Sequence, residues 1–170
     1  MASNVFFIDF RASYKENFVV KLKRLVDTAG LQERVKKKDL VAIKLHFGEW
    51  GNTAFIRPLY IRHIVDSVKA VGAVPFLTDA NTLYAGSRGN AADHLKTAAE
   101  NGFAYSVVQA PLVIADGLRG KSETPVPVNL KNCREVYIGS EIVEADALIS
   151  VAHFKGHELT GFGGAIKNVG

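Results

Sequence analysis

Apolar residues arrive in short bursts along this chain, and their spacing switches between a strand-like and a helix-like period. Val5 to Asp9 is a short apolar run and predicts a strand. Phe18, Leu22, Leu25 and Val26 fall at helical spacing, with Gly30 as the stop. Leu40 to Phe47 predicts a second strand, followed by the loop G-E-W-G-N-T. Pro58 suits the first turn of a helix whose apolar face is Ile61, Ile64, Val65 and Val68, ended by Gly72. Val74 to Leu77 predicts a third strand, followed by T-D-A-N-T-L-Y-A-G-S-R-G. Asn90 with Asp93 marks a helix start, and Asn101-Gly102 its stop. Tyr105 to Val108 predicts a fourth strand.

From Pro111 to Asn129 the rhythm breaks. Two apolar runs, L-V-I-A and V-P-V, flank G-L-R-G-K-S-E-T, which predicts a β-hairpin insertion at about 111–130. The tempting G-K-S fails as a phosphate loop, because Ala115 stands where a glycine is required and prolines follow. Glu135 to Ile138 predicts a strand, Ser140 to Ala145 a short helix, and Ala147 to Phe154 a last strand. The alternation implies one α/β domain over 1–170: three layers, a mainly parallel sheet and helices on both faces.

Composition narrows the class. The 170 residues are 48% hydrophobic and 22% charged, which fits one globular domain. No apolar run approaches the roughly 20 residues of a membrane helix. The N-terminus lacks a basic leader, so a cytoplasmic, non-membrane protein is expected. The net charge of +4 is spread out, apart from Lys36-Lys37-Lys38, and no basic stripe carries interleaved aromatics. Nucleic acid is therefore not the expected partner; an anionic small molecule fits the charge equally well. The single cysteine, Cys133, reads as a half-buried strand residue and cannot supply a multi-cysteine metal site.

Candidate chemistry gathers where the strands end. In open parallel sheets ligands bind beyond the carboxyl ends of the strands. The second strand ends K-L-H-F-G-E, the third T-D-A-N-T, and the last A-H-F-K-G-H-E. Lys44 shares a strand face with Ala42 and His46, inside an apolar run, so it either reaches solvent from an edge strand or meets an anion. Asp79 is the candidate partner, able to accept from a ligand hydroxyl, bind a metal or pair with Lys44. Lys44, His46, Asp79, His153 and His157 are the candidate catalytic residues. His153, His157 and Glu158 are candidate metal ligands, although their order is not that of the H-E-x-x-H zinc signature. His63 and His94 read as surface or core residues of helices. Gly161, Gly163 and Gly164 precede a helix, where glycines admit close backbone approach and Lys167 adds charge. Neither the phosphate-loop nor the dinucleotide motif is satisfied there, because Ile166 occupies a required glycine position.

Residues Glu144 to Gly170 resemble the hallmark of the uncharacterised iron–sulfur centre proteins, catalogued as domain of unknown function 362. The matching residues are Asp146, Lys155, His157, Thr160, Gly161, Lys167 and Asn168, with Val41–Lys44, Asn52-Thr53 and Asp79-Ala80 resembling earlier family segments. The resemblance implies that Lys155, Thr160 and Asn168 join Gly161, Gly163, Gly164 and Lys167 as cofactor-binding residues. It implies a redox protein of unknown reaction, in which this chain holds an anionic small molecule. Electrons would come from 4Fe–4S clusters in a C-terminal ferredoxin-like module or a separate partner. Many members carry that module as cysteine runs that this chain lacks, and the stop at Gly170 predicts a fragment of a longer protein. Two other readings stay open: a metal-dependent enzyme using His153, His157 and Glu158 or Asp79, and a non-catalytic scaffold.

Overall fold

The computed structural model describes residues 3–169. Two helices come first, α1 (Phe18–Thr28) and the short α2 (Leu31–Arg34). Strand β1 (Leu40–Lys44) follows, then α3 (Pro58–Ala70), β2 (Val74–Asp79), α4 (Ala91–Glu100) and α5 (Tyr105–Val108). Strands β3 (Leu112–Ile114), β4 (Glu123–Leu130) and β5 (Cys133–Gly139) precede α6 (Ser140–Val143) and β6 (Ala147–Ser150). The chain finishes with β7 (Lys155–His157), β8 (Gly161–Gly163) and α7 (Ala165–Val169). The architecture is α/β. Four parallel strands run in the order β3-β2-β1-β6, with the helices around them and two separate antiparallel pairs, β4-β5 and β7-β8.

The expected strand Leu40–Phe47 ends at Lys44, but the alternation continues to Phe47 and sets the core. Val41, Ile43, Leu45 and Phe47 are fully buried and pack with Ile61, Val65 and Val68 of α3 and with Phe103. The register aligns Lys44 with Thr78 on one side and Ser150 on the other, so three strands end almost level. Asp146 pins the start of β6, because its carboxylate accepts from the Leu40 N–H at 2.8 Å. Across the sheet the cover is thinner, and Leu40, Val74 and Leu148 stay about half exposed.

Four other elements differ from the sequence expectation. Val5 to Asp9 is not a strand. It is tied to α1 by an Asp9–Lys21 ion pair, and the following Phe10 stacks on Phe18 with ring centroids at 4.3 Å and meets Tyr60 of α3 edge-on. Tyr105 to Val108 is a helical turn that buries only Val108; a four-residue apolar run does not distinguish the two states. The insertion is shifted. Leu112–Ile114 joins the main sheet beside β2, and the hairpin is Glu123–Gly139, with Pro125 and Pro127 in a two-stranded ribbon that leaves backbone positions unpaired. The last strand stops at Ser150, and His153 to Gly163 form a turn and a small hairpin instead. Cys133 is half-buried at the start of β5, as expected.

Candidate functional site

Lys44 and Asp79 are the last residues of adjacent strands. Both are almost entirely buried, at 8% and 6% exposure, so neither charge is tolerated alone. They pair directly, Lys44 Nζ donating to Asp79 Oδ1 at 2.7 Å. The second carboxylate oxygen accepts from Arg88 Nη1 at 2.9 Å, and the Ala80 N–H donates to Oδ1. Burial by itself would raise the Asp79 pKa. His94 at 3.6 Å, together with Lys44 and Arg88, outweighs it and holds the carboxyl well below the usual range.

Arg88 extends the network outward from the loop after β2. Its Nε donates to Glu49 Oε1 at 2.8 Å, and its Nη2 donates to the Tyr84 hydroxyl at 2.6 Å. Glu49 also accepts from Tyr84 and Ser87. Burial pushes the Glu49 carboxyl up, but the hydrogen bonds from Arg88 and Tyr84 bring it below its ordinary value. The loop is anchored by α4, whose Thr97 hydroxyl donates to the Ser87 carbonyl and whose start is capped by Asn90. Two cations face two carboxylates here, so the cluster is charge-balanced within itself.

His46 sits at the rim. The residue is partly exposed, yet both ring nitrogens are turned toward donors: Nδ1 accepts from the Gly48 N–H at 2.8 Å, and Nε2 lies 3.0 Å from Arg88 Nη2. An imidazolium would direct protons at both. Desolvation of the ring, followed by the Arg88 charge, pushes its pKa down to about 4, and the ring is neutral at pH 7. His94 is fully buried edge-on to Phe47, and neither ring nitrogen has a hydrogen-bond partner among the described residues.

The C-terminal segment reaches this cluster through one residue. Asn168 Oδ1 accepts from Lys44 Nζ at 3.1 Å, and its Nδ2 donates to the Lys44 carbonyl and to Ser150 Oγ, each at 3.0 Å. The expected neighbours of Asn168 are arranged differently. His157 Nδ1 accepts from the Leu159 and Thr160 N–H groups, and the Thr160 hydroxyl donates to the Phe162 carbonyl, so both residues close the β7–β8 turn. Gly161 takes a left-handed conformation at that turn, φ 75°. Gly163 is buried between the Lys155 and Lys167 side chains, and Gly164 lies against Phe154. Lys155 and Lys167 are exposed, and no carboxylate among the described residues pairs with either.

His153 and Glu158 are exposed on the turns flanking β7. Among the described residues no group of three or more His, Cys, Asp or Glu side chains is placed to hold a metal ion, so His153, His157 and Glu158 are not gathered into one. The structure therefore brings together Lys44, His46, Asp79 and Asn168 from the sequence expectation, and adds Arg88, Glu49, Tyr84, His94 and Ser150. Glu49 and Arg88 had one legible signal, since each lies in a loop that directly follows a strand end.

The profile of the family described as domain of unknown function (DUF362) matches residues 41–169. The chain belongs to the DUF362 family. The match begins at the strand that carries Lys44 and runs through Asn168, so the DUF362 region contains every member of the cluster. No curated protein and no solved structure matches the chain. Among the described residues, no helix is long and apolar enough to cross a membrane.

Proposed function

We propose that this DUF362 chain is the small-molecule-binding domain of a redox protein, taking an anionic ligand at the carboxyl ends of β1, β2 and β6. The observation that carries this reading is the buried Lys44–Asp79–Arg88 network at that edge. A buried ionic network is costly to desolvate, so its place at the strand ends supports a site there. Because the network is already neutral, it serves as a rigid floor. The ligand's negative charge is met by Lys155 and Lys167, which flank Gly163 and carry no carboxylate partner among the described residues. His46, neutral at pH 7 and at the rim with both ring nitrogens facing donors, lines the site without adding charge.

The redox part of the proposal comes from the resemblance to iron–sulfur centre proteins. Cys133 alone cannot ligate a 4Fe–4S cluster, so the electrons are assigned to a ferredoxin-like module or partner. Iron analysis and visible absorbance of the protein isolated from its native host test that part; no iron and no broad cluster band would remove it.

The ligand part is tested by thermal unfolding against a panel of phosphate, di- and tricarboxylates and nucleotides. A ligand at 100 times its Kd stabilises the fold by about 2.7 kcal/mol. Some anions should raise the Tm of the wild type and do so less in Lys155→Ala/Lys167→Ala. An equal response in the double variant, or none in either protein, would refute it.

A further inference from the structure

We propose that the crevice between β1 and β6 is a seat for a ligand's primary carboxamide, closed in this structure by the side chain of Asn168. The inference rests on the reading that the carboxyl edge takes a small molecule, and it names the chemical group that this edge selects.

Topology locates the seat. From β1 the sheet grows to β2 and then β3 on one side, while β6 lies on the other. The direction of growth therefore reverses between β1 and β6, and crevices at such switch points are where open parallel sheets bind ligands. Lys44 ends one wall and Ser150 the other, aligned in register. Asn168 fills the space between them.

The chemistry of the seat is set by three atoms. Lys44 Nζ is an obligatory donor, and it lies 3.1 Å from Asn168 Oδ1. The Lys44 carbonyl is an obligatory acceptor, 3.0 Å from Asn168 Nδ2. Ser150 Oγ accepts the other Nδ2 hydrogen at 3.0 Å and could equally donate. The reverse amide orientation would set N–H against ammonium and oxygen against carbonyl, so the orientation is fixed by its surroundings. A group that replaces Asn168 must accept at one atom and donate at the next. A primary carboxamide does both. A carboxylate pairs with Lys44 Nζ but drives its second oxygen against the Lys44 carbonyl, so the seat discriminates against it.

One residue holds the occupying segment to this edge. Helix α7 has five residues, none of them fully buried, and Ile166, Lys167 and Val169 are exposed. Asn168 is its half-buried residue and makes all three bonds to the sheet edge. The intrinsic affinity of the seat is then reduced by the fraction of time that Asn168 occupies it.

The test is a titration of wild type and Asn168→Ala with acetamide and, separately, acetate, read from the amide signals of Lys44, Leu45, Ser150 and Val151. Acetamide should bind Asn168→Ala at least ten-fold more tightly than it binds wild type, and at least ten-fold more tightly than acetate does. Equal affinity in the two proteins, no saturable acetamide response in the variant, or a preference for acetate would overturn the proposal. Asn168→Ser, shorter and still polar, repeats the comparison should the alanine variant fail to fold. The Lys155/Lys167-dependent anion response of the wild type reports separately on the broader reading, so failure of one is distinguishable from failure of the other.

Discussion

Lys44 stands where a strand covered by helices should carry an apolar side chain, and that conflict made it visible in the sequence. Its resolution is the Asp79 carboxylate at 2.7 Å, itself shared with Arg88. Removing one partner of a buried ion pair costs about 3–5 kcal/mol, because the remaining charge stays desolvated. Asp79→Ala leaves two cations without their common partner and should cost that much, measured by urea unfolding. Glu49→Ala should cost less, since the Glu49 side chain is about a quarter exposed and its loss leaves Arg88 paired to Asp79. Equal costs would mean that Asp79 is not the hub. Arg88 and Glu49 gave no comparable conflict. Charged residues in loops are ordinary, and only the fold turns these two inward. The histidines misled for the opposite reason: His153 and His157 are conspicuous as letters, yet one is exposed and the other holds a turn.

Elements were legible where one period runs long enough. The faces of α1 and α3, the buried run of β1 and the Asn90 cap of α4 all follow from spacing and end signals. Short apolar runs were not, because four or five residues fit either period. Tyr105–Val108 became helical, and Val5–Asp9 runs outside any sheet, tied to α1 by the Asp9–Lys21 ion pair and followed by Phe10 against Phe18 and Tyr60. Helix α4 matters to the site because Thr97 holds the Ser87 carbonyl next to Arg88. Its cap is the Asn90 side chain, which accepts from the Asp93 N–H at 3.1 Å. Asn90→Ala should therefore cost about 1 kcal/mol in chemical unfolding. An unchanged midpoint would show that α4 does not depend on its cap.

For the whole molecule, the depressed pKa values of His46 and Asp79 act in the same direction on stability. His46 is held near 4, below its ordinary 6.5, so the unfolded chain binds its proton first. Its contribution is full above pH 6.5 and is lost as pH falls toward 4. Asp79 lies below its ordinary 3.8, so its contribution is present above that value and is lost at still lower pH. Stability should thus decline in two windows. His46→Asn, which retains an acceptor for the Gly48 N–H, should flatten the first and leave the second; an unaltered profile would contradict the neutral, donor-facing histidine. The central claim is that the carboxyl edge of β1, β2 and β6 binds a small anion. Its most direct measurement maps backbone amide shifts while the anion that most raises the Tm is titrated into the wild type. The account predicts saturable shifts gathered at Lys44–Glu49, Asp79–Arg88, Ser150 and Lys155–Asn168. Shifts gathered instead in the apolar groove at the amino ends, around Leu40, Val74, Phe76 and Val113, or scattered shifts that never saturate, would contradict it.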